Sequence, residues 1–197
     1  SRGCILTGRY AWKTGTERRP STASRQGMLR DERTVAEALR DAGYATWMVG
    51  KWHLGEWQTG HLPCSRGFGH HYGFYGALID SFTHTREGIL DWHRNGKPIV
   101  EDGYSTFLLA NEAAQLIRRH DGKRPFFLHL PFNAVHGPNQ APPEYLKKYA
   151  HLGRTGPQRA QLECMDIAIG QVLKAIKDKG LNSNTLVMFT NDNGGPE

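Results

Sequence analysis

Tyr44-Ala45-Thr46-Trp47-Met48-Val49 runs directly into Gly50-Lys51-Trp52-His53-Leu54-Gly55, and this junction sets the reading of the whole chain. The first six residues are continuously apolar or β-prone, as in a strand covered on both faces. The polar cluster that ends the run lies where such a strand would leave its sheet. Two other stretches repeat the pattern. Phe126-Phe127-Leu128-His129-Leu130 continues through Pro131-Phe132-Asn133-Ala134-Val135 to His136-Gly137-Pro138, and Leu186-Val187-Met188-Phe189-Thr190 leads into Asn191-Asp192-Asn193-Gly194-Gly195. In an open parallel α/β sheet, ligands bind in the crevice beyond the carboxyl ends of the strands. A lysine, two histidines, an aspartate and an asparagine would therefore converge there. Such a set suits an anionic substrate beside a hard metal ion.

Helical patterns separate the three runs. Thr34 reads as the N-cap of a helix carrying Val35, Ala38, Leu39 and Ala42, with Gly43 as its left-handed stop. Ser105 begins a second helix that ends at Arg119. Pro142 and Pro143 start a short one reaching Tyr149. Gly156-Pro157 opens a long helix in which Met165, Ile169, Val172 and Ile176 recur at helical spacing, ended by Gly180. This alternation predicts an α/β fold: a mostly parallel sheet with helices on both faces. Residues 55–102 form a long stretch rich in glycine and histidine, with one strand-like piece near Pro98-Ile99-Val100. Loops of that length carry function or inserted structure.

Composition narrows the classes. The 197 residues are 38% hydrophobic, enough for one core, and no apolar stretch approaches the roughly 20 residues that span a bilayer. The net charge of +6 suits an acidic partner without naming one. No recognition helix, zinc finger or aromatic RNA-binding pattern accompanies the charge, which argues against nucleic acid. Arg18, Arg19, Arg25, Arg30 and Arg33 read as a solvated face. Cys4, Cys64 and Cys164 form neither a disulfide framework nor a zinc site, and Cys164 reads as helix packing. The first residue is not methionine and the last follow a glycine pair, so the chain reads as a partial domain.

The chemistry-bearing residues each have a bland alternative. Asp192 and Asn193 offer hard oxygen donors suited to calcium or magnesium, but Asn-Gly after a strand is also a common turn. Lys51 and His53 lie on one side of an extended segment, where lysine neutralises an anionic oxygen and histidine shuttles a proton. A surface strand edge is the competing reading. Trp52 and Leu54 would anchor the loop, and Gly50 and Gly55 would let it turn close to a ligand. His136 stands before a rigid Gly-Pro turn, on the same predicted rim. No HExxH, GxSxG or GxxxxGK[ST] pattern is present, which weakens zinc-protease, serine-hydrolase and P-loop readings.

Taken together, the GKWHLG segment, residues 126–138 and residues 185–195 resemble three signature segments of the sulfatases in the alkaline phosphatase superfamily. Ser1-Arg2-Gly3-Cys4-Ile5-Leu6-Thr7-Gly8-Arg9-Tyr10 resembles the back half of a fourth, C-x-P-S-R followed by leucine-threonine-glycine-arginine. Pro63 to Gly69, Gln140-Ala141-Pro142 with Glu144-Tyr145-Leu146, and Glu163-Cys164-Met165-Asp166 look most like the arylsulfatase B branch. The resemblance implies part of a sulfatase catalytic domain over residues 1–197. It also implies calcium and a formylglycine nucleophile made from a cysteine three positions before Ser1; neither Cys4 nor Cys64 has the offsets to replace it. By the match, Asp192 and Asn193 are calcium ligands, and Arg2 braces the nucleophile and the metal's ligands. Lys51 contacts sulfate, His53 takes a proton as sulfate is released, and His136 binds sulfate and protonates the departing alcohol. Trp57, Asp80 and His84 lie where relatives build a substrate cleft, while Asp166 reads as a structural carboxylate. The implied substrate is a sulfated small molecule or glycan, and the implied location is secreted, periplasmic or lysosomal. A phosphate or phosphonate monoester hydrolase of the same superfamily is one alternative, and a silent glycan-binding homologue another. The 197 residues alone are expected to be inactive, without nucleophile or full metal site.

Overall fold

Strand β1 (Ala45–Lys51) is buried along its whole length, as a strand with two covered faces must be. The computed structural model describes residues 1–17 and 26–191. In chain order the helices are α1 (Arg2–Thr7), α2 (Ala11–Thr14), α3 (Val35–Asp41), α4 (Ser105–Arg119), α5 (Pro143–Lys148) and α6 (Gly156–Asp178). The other strands are β2 (His70–Phe74), β3 (Thr85–Arg86), β4 (Ile89–Leu90), β5 (His93–Arg94), β6 (Lys97–Pro98) and β7 (Phe126–His129). The main sheet has the order β6-β5-β2-β1-β7. Its centre is parallel, with β1 between β2 and β7, and β5 and β6 add an antiparallel edge.

Side chains of β1 alternate between two cores. Ala45, Trp47 and Val49 join Tyr72 and Phe74 of β2 against Leu109, Ala113 and Ile117 of α4 and Ala168 and Val172 of α6. Met48 points the other way, into a cluster with Leu6 of α1, Ala36 of α3, Trp52 and Phe68. Removing a side chain such as Leu109 from the first core would cost about 2–5 kcal/mol. Helices thus cover both faces, as the sequence predicts. Thr34 caps α3: its Oγ1 accepts from the Glu37 N–H at 3.0 Å, and its own N–H donates to the Glu37 carboxylate at 2.7 Å.

The sequence-based picture needs three corrections. The run at residues 186–190 is not a strand: it pairs with nothing among the described residues, and Leu186 and Phe189 are 86% and 73% exposed. An apolar run supplies strand propensity, but a strand also needs a paired edge and covered faces. Second, β2 lies inside what reads as an irregular loop. His70, His71 and Gly73 break the apolar pattern, although the strand is parallel to β1 in the register Trp47↔His70 to Lys51↔Phe74. Third, the buried side of α6 is Ala160, Gln161, Cys164, Ala168, Val172, Ala175 and Ile176: Val172 and Ile176 are buried as predicted, but Met165 and Ile169 are only partly so, because the small residues of this side let α6 approach Ala110, Ala113 and Ala114 of α4. Asp166 is exposed and makes no ion pair among the described residues. The segment after Ser1 forms α1 and α2, so Arg2 stands in a first helical turn.

Candidate active site

Gly50 decides how the strand ends meet. It has φ +130°, and a Cβ there would run into the Pro131 carbonyl oxygen. That absence lets the chain following β7 lie against the end of β1, where the Lys51 N–H donates to Pro131 O at 2.9 Å. The next two amides turn to the other neighbour: Trp52 N–H donates to Phe74 O at 2.9 Å and His53 N–H to Tyr75 O at 3.0 Å. Residues 51–53 are therefore stitched between the continuations of β7 and β2. His53 itself takes a left-handed conformation, φ +55°. Lys51 and His53 do not lie on one straight extended segment, as the spacing predicts; the chain bends at the histidine. Such a non-glycine residue is uncommon and is held by its surroundings.

Those surroundings are apolar below and ionic beside. Trp52 is buried, donates its indole N–H to His61 O at 2.8 Å, and meets Phe68 edge-on; Leu54 packs in the same cluster. Gly76 and Tyr75 donate their N–H groups to the Asp91 carboxylate at 2.8 and 2.9 Å. Arg86 lies 3.9 Å from Asp91 and pairs with Glu56 at 2.7 Å. This network fixes the strand continuation that holds the His53 amide. Lys51 is 5% exposed, an enclosed cation of the kind that is costly without negative charge nearby.

The β7 side contributes Arg2 and His136. Burial and then the positive charge of Arg2 push the His129 imidazole down to about 4. Arg2 therefore stands by the end of β7, and His129 is neutral at physiological pH. His136 is exposed, and its N–H donates to Asn133 O at 2.9 Å. Its Nδ1 lies 2.7 Å from Gly137 O; a carbonyl only accepts, so Nδ1 carries a proton and Nε2 faces away for chemistry. Gln161 of α6, 1% exposed, donates its amide to His136 O and Pro138 O at 3.4 and 3.2 Å, tying the turn to the helix. Asn133 is 4% exposed, and neither side-chain amide atom is hydrogen-bonded among the described residues.

Lys51, His53 and His136 thus occur at the carboxyl ends of the adjacent parallel strands β1 and β7 and the loops beyond them, with Arg2, on α1, acting electrostatically on His129. Asp192 and Asn193 lie outside the described residues. Among the described residues no group of three or more His, Cys, Asp or Glu side chains could hold a metal ion.

Comparison with known proteins gives the family and the fold. A family model described as Sulfatase matches residues 1–196. The chain belongs to the sulfatase family. Arylsulfatase J of Mus musculus is 34% identical over 99% of this chain, which spans 34% of the length of that relative. Among solved structures, Ps i-CgsB in complex with k-i-k-neocarrahexaose matches with a TM-score of 0.83 and 28% identity over 91% of this chain and 44% of its own. BT4656 in complex with its substrate D-glucosamine-2-N,6-O-disulfate matches with a TM-score of 0.59 and 28% identity, covering 76% of this chain and 27% of its own. The fold is that of sulfatases, an alkaline phosphatase-like α/β architecture.

Of the other residues singled out in the sulfatase chain, some are placed as the sequence reads and some are not. His84 does not line a cleft: it is buried, stacked 4.5 Å from Trp92, with Nε2 3.1 Å from Gly103 O. Asp80 shapes a turn. Partial burial opposes its charge, but the Thr83 and Phe82 amides and the Gln140 side chain outweigh it and hold the carboxyl at about 2. Trp57 is exposed. Arg30 and Arg33 are solvated as expected, while Arg18, Arg19 and Arg25 lie outside the described residues. All three cysteines are free, and Cys164 is fully buried. Sequence reading assigned no role to His129, Asn133 or Gln161. The apolar run hid the first, and the others are legible only once α6 is seen against the His136 turn.

Proposed function

We propose that the protein hydrolyses sulfate monoesters, taking sulfate from a sulfated sugar or glycan, and that residues 1–197 form part of its catalytic domain. The observation that carries this is that an enclosed Lys51 ends β1 while the His136 turn, its Nδ1–H bound to Gly137 O, follows β7, the parallel neighbour of β1. The Lys51 ammonium stabilises the negative charge that grows on the sulfuryl oxygens. His136, oriented by its Nδ1–H bond to Gly137 O, acts as the doubly protonated imidazolium: it gives the Nε2 proton to the departing alcohol oxygen as the S–O bond breaks and is left as the neutral Nδ1–H imidazole. His53 takes a proton in the step that frees sulfate and restores the nucleophile. Arg2 offers a fixed positive charge beside them. The sugars named with two solved sulfatase structures support a glycan substrate.

Calcium and formylglycine complete the reading. Asp192 and Asn193 together present a carboxylate and an amide oxygen, hard donors that fit calcium, and they would hold it. Bound there, the ion would supply Lewis-acid polarisation of the sulfate, while formylglycine would supply the attacking oxygen. No helix among the described residues is long and apolar enough to cross a membrane; a secreted, periplasmic or lysosomal site of action follows the family resemblance. The test is sulfate release by the full-length protein from 4-nitrophenyl sulfate and from sulfated monosaccharides, with phosphate monoesters in parallel. Release of sulfate, lost with chelator and restored by calcium, is expected. A preference for phosphate esters, or sugar binding without turnover, would overturn the assignment.

A further inference from the structure

A cavity of about 210 Å³ opens between the His136 turn and the start of α6, lined by Val135, Gln158, Arg159 and Leu162. It is smaller than the roughly 300–1,000 Å³ that encloses a drug-sized ligand, and suits one sugar ring or one charged substituent. Two links tie it to the main chain of the His136 turn. Val135 is the residue before His136, about 3.8 Å away along the main chain. Gln161, on the same helix as the other three lining residues, clamps the carbonyls of His136 and Pro138. Whatever body is attached to an oxygen protonated by His136 must leave across neighbouring surface, and this cavity is such a surface.

The lining is chemically selective. Val135 and Leu162 present apolar surface for the C–H face of a ring, and Gln158 brings an amide. Arg159 is an exposed guanidinium with no hydrogen bond or ion pair among the described residues. The acid one turn along α6, Glu163, is taken by Lys148 at 2.6 Å, which leaves Arg159 uncompensated. A planar guanidinium with its donors available matches a sulfate or carboxylate.

We propose that this cavity is the subsite for the alcohol part of the substrate, and that Arg159 recognises a second anionic substituent on that sugar. The substrate class is then a sulfate ester whose sugar carries another sulfate or a carboxylate, not a singly charged ester. The inference rests on the sulfatase reading, because it takes His136 as the group facing the departing oxygen.

Binding separates the two. Titration calorimetry on the full-length protein would compare D-glucosamine-6-O-sulfate with D-glucosamine-2-N,6-O-disulfate, for wild type, Arg159→Ala and Arg159→Lys, with hydrolysis of 4-nitrophenyl sulfate measured alongside. The wild type is expected to prefer the disulfated sugar about tenfold. Arg159→Ala should bring the ratio close to one, and Arg159→Lys should keep part of it, a point charge surviving without the fork. Arg159 lies on the exposed side of α6, so its thermal midpoint should follow the wild type. A ratio near one in the wild type, or one unchanged by Arg159→Ala, would overturn the subsite. Failure to hydrolyse 4-nitrophenyl sulfate with the binding ratio intact would overturn the sulfatase reading instead.

Discussion

A general acid matters most when the departing oxygen is a poor leaving group, and His136 can be tested on that ground. Replacing it with alanine should lower kcat on a sugar sulfate by about 10²–10⁴-fold, and by far less on 4-nitrophenyl sulfate, whose phenolate leaves without help. Equal losses on both esters would show that His136 acts some other way. His71 makes a different prediction at the same scale. It is wholly buried, both ring nitrogens lack partners among the described residues, and its ring stacks 5.1 Å from Tyr75. Burial, then the charges of His93 and His70, push its pKa down to about 3. Between pH 3 and the ordinary value of 6.5 the unfolded chain binds the proton and the folded chain does not. Stability is therefore full above pH 6.5 and is lost as pH falls through that window, with His129 acting in the same direction. His71→Phe should raise stability at pH 7 by about 1–3 kcal/mol, by removing unpaired polar atoms, and should flatten the acid limb of a Tm-against-pH curve. A steeper limb would contradict the assignment of His71.

Among elements, the junction of β1, β2 and β7 carries the site. Gly50 sits there at φ +130° with the Pro131 carbonyl where a side chain would go. Gly50→Ala should cost about 3 kcal/mol or more, from strain and from forcing β7's continuation away, read as a lower urea midpoint. A midpoint unchanged within error would mean that the close approach is not needed. The same junction shows what was legible beforehand. Strands β1 and β7 and helices α3, α4 and α6 announce themselves through apolar periodicity and caps, and Lys51, His53 and His136 stand out because polar residues end those runs. β2 does not announce itself, since two histidines and a glycine interrupt it; its membership depends on lying beside β1. Residues 186–189 fail in the opposite sense, apolar in sequence yet exposed and unpaired. Propensity is local, and pairing is not. Gln161 and Arg159 were invisible for the same reason: their roles exist only where α6 meets the His136 turn.

At the scale of the whole molecule, a parallel three-strand centre faces its carboxyl ends to one rim, and most of the chemistry-bearing residues follow from that placement. The formal charge of +6 adds a diffuse attraction for anions, so capture of the proposed glycan substrate should weaken as salt rises. The most direct test of the account is a crystal structure of the full-length protein with calcium and inorganic sulfate. One sulfate is expected with Lys51 Nζ and His136 Nε2 both within about 3 Å of its oxygens, and with the side chains of Asp192 and Asn193 on the adjoining ion. Sulfate held elsewhere, or Asp192 and Asn193 on the opposite rim from Lys51 and His53, would contradict it.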